Sequence, residues 1–120
     1  LIASRHALSS NQTERGPTMG TASFSVGTYG RRLDAGTVLS SEVKTSGAHT
    51  TTTSASNIED ASGDITMSAG QILQVYADEA MRIRFGGTAA TATTGHYIPA
   101  GVQREFECTE PGTVSIIDVA

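Results

Sequence analysis

An all-β fold is predicted by three features of the sequence. Its apolar residues fall in short alternating or β-branched runs, each closed by glycine or proline, which is the pattern of strands joined by turns. Serine and threonine make up about a quarter of the 120 residues, with 13 glycines and no tryptophan. Such a composition is rich in turn formers and poor in the Leu, Ala, Glu and Lys that helices need. Only the stretch around Tyr76 to Arg84 gathers helix formers, and β-branched and aromatic residues interrupt it. The length suits one domain with a single modest core. The expected architecture is a single antiparallel β-sandwich or jelly-roll-like barrel of six to eight strands (residues 21–120), preceded by an extended N-terminal arm (residues 1–20).

The elements follow in order. Residues 1–20 are polar and unpatterned, with too little apolar surface to offset the entropy of ordering alone. They read as a mobile tail or as an arm that orders on another subunit. In residues 21–29, Ala22, Phe24 and Val26 alternate with Ser23, Ser25 and Gly27, so a strand has Phe24 and Val26 on one face and serines on the other. Leu33-Asp34-Ala35-Gly36 is a turn, and residues 37–43 form a second strand. Residues 44–62 hold four consecutive threonines, Thr50 to Thr53, with no apolar alternation. An edge strand and a long surface loop both fit.

Asp64-Ile65-Thr66-Met67 is a short strand, and Ser68-Ala69-Gly70 turns it into the strand 71–77. Asp78-Glu79-Ala80 connects to a strand in which Met81, Ile83 and Phe85 face one way and Arg82 and Arg84 the other. Gly86-Gly87 ends it, and residues 88–95 form a small-residue loop. His96-Tyr97-Ile98 leads through Pro99-Ala100-Gly101 into a strand with Val102, Phe106 and Cys108 on one face and Gln103, Glu105 and Glu107 on the other. Arg104 falls on the apolar side near the strand's start, within reach of solvent. Glu110-Pro111-Gly112-Thr113 has the composition of a tight turn with positive φ at glycine, and residues 114–119 close the chain. Asp34-Ala35-Gly36, Ser68-Ala69-Gly70 and Pro99-Ala100-Gly101 read as one turn solution used three times, not as a solenoid repeat.

Charge and chemistry exclude more than they assign. A net charge of −4 and a pI near 5.2 argue against a dedicated nucleic-acid binder. The single cysteine, Cys108, rules out an internal disulfide framework. No apolar run approaches the ~18 residues of a membrane helix, and the first residues lack the apolar core of a secretory leader. A soluble protein made in a reducing cytoplasm is expected. His6, His49 and His96 have no second ligand at a metal-binding spacing, although His96 and Cys108 lie in one sheet region. Cys108 sits between Glu107 and Glu110, which disfavour a thiolate. No Gly-x-Ser-x-Gly elbow is present, and Phe85-Gly86-Gly87-Thr88 lacks the lysine of a phosphate cradle. The paired acids Glu59-Asp60, Asp78-Glu79 and Glu105/Glu107 fall in turns or on an outer face. No catalytic, cofactor or metal site is therefore expected. Arg82 and Arg84 are expected either to ladder with Glu105 and Glu107, if their strands are neighbours, or to meet an acidic partner.

The C-terminal third carries a resemblance. Met81-Arg82-Ile83-Arg84-Phe85-Gly86-Gly87-Thr88, a Thr/Ala loop, Tyr97-Ile98-Pro99-Ala100-Gly101-Val102 and Pro111-Gly112-Thr113-Val114-Ser115-Ile116-Ile117 together resemble the ends of small virion proteins of tailed bacteriophages. That resemblance spans about 40 residues. It implies a non-enzymatic structural role, as a capsid decoration (cement) protein on the virion surface that clamps neighbouring major capsid (coat) subunits. It carries over no catalytic residue. The expected partners are the coat protein and further copies of the chain in a homo-oligomer, with neither membrane nor specific nucleic acid. Leu1 and Ile2, which have no local core, and the charged Arg31, Arg32, Arg82 and Arg84 are the candidate partner contacts. The alternatives are a tail or neck component, or a carbohydrate- or receptor-binding β module. The last is disfavoured by the lack of tryptophan, with Tyr29, Tyr76 and Tyr97 left for stacking on a sugar.

Overall fold

The computed structural model describes residues 19–33 and 36–119. Leu1, Ile2 and the rest of the expected arm through residue 18 lie outside the described residues, as do the two central residues of the first turn; Gly20 already belongs to β1. Every regular element among the described residues is a strand. Their neighbours in every sheet run antiparallel. Two four-stranded sheets form a two-layered sandwich that is not closed into a barrel.

The first sheet has the order β10-β7-β1-β2, with β1 Gly20–Leu33, β2 Gly36–Thr51, β7 Ile72–Ala77 and β10 Val102–Glu107. The second has the order β3-β12-β8-β9, with β3 Ser56–Asn57, β8 Met81–Arg84, β9 His96–Ile98 and β12 Ser115–Asp118. Four two-residue segments make two small ribbons, β4 Glu59–Asp60 with β5 Gly63–Asp64 and β6 Thr66–Met67 with β11 Gly112–Thr113. The chain changes sheet between β2 and β3, between β3 and β7, between β7 and β8, between β9 and β10, and between β10 and β12. Both layers are thus stitched together by repeated crossings.

Alternation selects the faces. Ala22, Phe24 and Val26 of β1 and Leu73, Val75 and Ala77 of β7 are buried against Met81, Ile83, Ile98 and Ile116 of the other sheet. Each fully buried Ile or Leu contributes about 1.5–3 kcal/mol over its exposed state. Gly47 on β2 leaves room for the Phe24 ring, since a Cβ there would lie 3.3 Å from two ring carbons. Ile58 and Ile65 are also buried and close one end of the core. Backbone bonds from Ile58 N–H to the Val114 carbonyl and from Ile65 N–H to the Ile58 carbonyl hold them there. On β10, Val102 and Phe106 are half-buried and Arg104 is exposed; only Cys108, just past the strand, is fully enclosed.

Two of the three Ala-Gly turns share a conformation. Gly70 and Gly101 have φ of 90° and 77°, a region that favours glycine. Gly70 N–H bonds the Cys108 carbonyl and Gly101 N–H bonds the Ala77 carbonyl, so each turn latches onto the far end of the neighbouring strand of the β7–β10 pair. Gly36, the third glycine, instead opens β2 directly opposite Leu33. Gly112 does have positive φ, 137°. It begins β11 rather than sitting within a tight turn, because the Gly86-Gly87 backbone packs against it.

The first hairpin is longer than the sequence suggests. β7 pairs with β1 only from Ala22 to Gly27. Beyond Gly27 the ribbon of β1 and β2 continues to Leu33↔Gly36 with no other strand of the described residues beside it. Residues 28–33 add roughly 20 Å at about 3.3 Å per residue. The β-branched and aromatic residues Tyr29, Thr37 and Val38 favour extension there, and three register shifts between Val26 and Arg31 mark irregular pairing. The protein's principal extents are 63 × 29 × 27 Å.

Candidate functional site

A broad groove flanks the edge of the first sheet. Thr45 to Thr51 continue β2 in regular register opposite Val26 to Gly20, so the threonine run is an edge strand through Thr51. The next residues turn back, with Ser54 N–H donating to Thr52 Oγ1. That reversal brings β3 and β4 alongside β2 without a backbone ladder between them. Side chains span the gap instead. Thr45 Oγ1 donates to Asp60 Oδ2 at 2.6 Å, and the Glu59 N–H donates to His49 Nδ1 at 3.4 Å. Between these bridges lies a groove of about 560 Å³ lined by residues 46–50 and 59–61.

His49 Nε2 lies 2.9 Å from Ser56 Oγ, a histidine–serine pair not anticipated from the sequence. The Glu59 bond fixes the tautomer. Nδ1 accepts and is therefore bare, so Nε2 carries the proton and donates it to the serine. A base for serine activation needs the opposite arrangement, with a bare Nε2 facing the hydroxyl. His49 is a structural link among β2, β3 and β4. Burial pushes its pKa below the usual histidine value, while Glu59 and Asp64 pull it back up. A lowered folded pKa means the unfolded chain binds the proton more readily. Stability from this link is whole above about pH 6.5, the ordinary histidine value. It is lost as pH falls from there through the folded value. Thermal melts between pH 7.5 and 5 should show this loss in the wild type and a flatter profile in His49→Gln. Parallel profiles would contradict the assignment.

The groove's other wall is acidic. The Asp60 carboxyl is held below the usual carboxylate range by the Thr45 hydroxyl and the Ser62 N–H, the latter bonding Oδ1 at 2.8 Å. Asp60 is thus an anion throughout the neutral range, beside the exposed Glu59.

The sequence-nominated arginines are not brought together. Arg31 and Arg32 stand near the hairpin tip opposite Val38 and Thr37. Arg82 is committed to its own sheet. Its Nε and Nη1 donate to the carbonyls of Ala92 and Gly95, and its guanidinium stacks over Tyr97 at 5.3 Å. It braces the 88–95 loop. Arg84 is exposed. The expected ladder with Glu105 and Glu107 does not form, because β8 and β10 belong to different sheets. Glu105 accepts a bond from Gln74 Nε2 at 2.6 Å instead.

His96 and Cys108 also part company. His96 stacks on Phe106 at 5.3 Å, while the Cys108 thiol donates to the Glu110 carbonyl. No cluster of three or more metal-ligating side chains occurs among the described residues. A shallower trough of about 230 Å³ crosses the outer face of the first sheet beside the exposed Tyr76, with Ser23, Gln74 and Gln103 along it. No family model, curated protein or solved structure matches the chain. Function must be argued from the geometry and the C-terminal resemblance.

Proposed function

We propose that this chain is a non-enzymatic virion structural protein of the capsid decoration type, clamping neighbouring coat subunits on the particle surface. The observation that carries this reading is the β1–β2 ribbon beyond Gly27, which has no further sheet partner among the described residues. A lone two-stranded ribbon is marginally stable in water, so its main-chain edges and side chains gain most when laid against another protein. The phage-like C-terminal pattern supplies the kind of partner, and multiple copies on a lattice add weak contacts through multivalency. Arg31 and Arg32 lie on the ribbon, and Arg84 is exposed on the second sheet; these take the role of charged coat contacts.

The test is co-sedimentation with coat-protein particles, followed by imaging of their surface. Shortening the ribbon by joining Gly27 to Val43 through a two-residue Asn-Gly turn should leave a folded sandwich. Particle occupancy should fall at least tenfold. Full occupancy by the shortened chain would refute the clamp, and failure of the intact chain to bind particles would refute the decoration reading itself.

A further inference from the structure

We propose that the chain also self-associates head to tail, the distal hairpin of one copy lying in the acidic groove beside β2 of the next. This assembly requires no particle and stands apart from the coat-binding reading. Two unfilled edges motivate it. On the hairpin, the β7-facing edge of β1 pairs with no strand of the described residues beyond Gly27. On the sandwich, β2 is the terminal strand of its sheet, so its outer edge along Thr45 to Thr51 pairs with no strand among the described residues. A long edge strand without proline recruits another strand unless something guards it.

Ser46, Gly47 and Ala48 are exposed along the groove, so the β2 edge is reachable from it. Charge then selects the occupant. The hairpin brings Arg31 and Arg32 within two residues of its turn, while Glu59 and Asp60 line the groove wall.

The pairing cannot close within one molecule. Thr37, opposite Arg32, lies about ten residues from Gly47 along the same strand, roughly 33 Å away. The two surfaces are also different, so the contact is heterologous and builds a ring or an open chain rather than a twofold dimer.

The experiment measures mass by sedimentation across a concentration series, on the full chain. The wild type should form concentration-dependent oligomers that weaken as ionic strength rises. The tip variant R31E/R32E and the groove variant E59K/D60K should each weaken association about tenfold or more. Mixed together, the two variants can join intact tip to intact groove and reversed tip to reversed groove, and should regain oligomers in which the two copies alternate. A chain carrying all four reversals should regain oligomers. Asp60 has hydrogen bonds of its own, so E59K alone serves as the groove variant if the double change lowers the melting temperature. A wild type that stays monomeric at every concentration overturns the proposal. Variants that assemble like the wild type, or a mixture that stays as weakly associated as either variant alone, overturn it as well.

Discussion

Replacing Asp118 by alanine should lower the melting temperature by about 10 °C, the largest loss expected from any single polar substitution here. The side chain is 3% exposed in the last strand, on a chain end that reads from sequence as a plain hydrophobic closing strand. Gly20 N–H donates to its Oδ2 at 3.1 Å and the Thr51 hydroxyl donates to its Oδ1. The Asp118 N–H in turn bonds the Thr52 carbonyl. One carboxylate therefore ties the start of β1 and the end of β2, both in the first sheet, to β12 in the second. Thr51 is fully buried, so its hydroxyl has no water to turn to once the acceptor is gone. Bonds to charged acceptors are worth about 1.5–3 kcal/mol, and a stranded buried donor costs about 1–3 kcal/mol more. A loss near 3 kcal/mol follows for the alanine variant.

Asparagine at 118 should fall between alanine and the wild type, because its carbonyl still accepts one bond while its amide faces the other donor. Thr51→Val removes the donor instead and keeps the shape, so it should cost less than removing the acceptor. In the double variant T51V/D118A the two losses should not add, since each removes the same bond. A melting temperature of D118A within 2–3 °C of the wild type, which corresponds to under about 1 kcal/mol, would show that the carboxylate does not clasp the sheets.

The same clasp explains what the sequence could and could not disclose. Alternation is a local signal, and where side chains face a core it was sufficient. Phe24 and Val26, and Met81 and Ile83, are buried as their spacing predicts, and the strand expected at 71–77 runs Ile72–Ala77. The threonine run offered no apolar alternation, so edge strand and loop were indistinguishable. Its inward positions are Thr45, Gly47, His49 and Thr51, which meet Val26, Phe24, Ala22 and Gly20 across the register. Three of these four carry polar groups, and their partners, Asp60, Ser56 and Asp118, lie 15, 7 and 67 residues away. No window of sequence contains such pairs together.

Sheet membership was hidden for a related reason. Arg82/Arg84 and Glu105/Glu107 are both outward sets on well-formed strands, and composition invites pairing them. The chain crosses between layers at Pro99-Ala100-Gly101, so strands that follow closely in sequence are parted in space. The hairpin's extension past β7 is likewise a matter of how far the neighbouring strand reaches, which β1 itself does not encode.

Gly95→Ala should be nearly as costly as the loss of Asp118, although it adds only one methyl group. Gly95 sits at the end of the 88–95 loop with φ of 121°. L-residues rarely adopt that conformation, and forcing one into it costs about 1–3 kcal/mol. Space is also lacking. An added Cβ would come within 2.9 Å of the Ile83 carbonyl oxygen and 3.4 Å of Arg82 Cβ. The nearest atom belongs to the backbone of a central strand, so relief must come from the loop. Moving the loop breaks the bonds that Arg82 makes to the Gly95 and Ala92 carbonyls and disturbs the pairing of Ile83 with His96. A total near 3 kcal/mol is expected from strain and clash together. Gly63→Ala is the control, because it shares a φ of about 120° but meets nothing within 4 Å. The difference between the two variants isolates the contact with β8 from the strain common to both. Chemical denaturation should place Gly95→Ala below Gly63→Ala by at least about 1 kcal/mol at unchanged m-value. Equal losses would mean that the loop yields freely, and that Arg82 does not brace it.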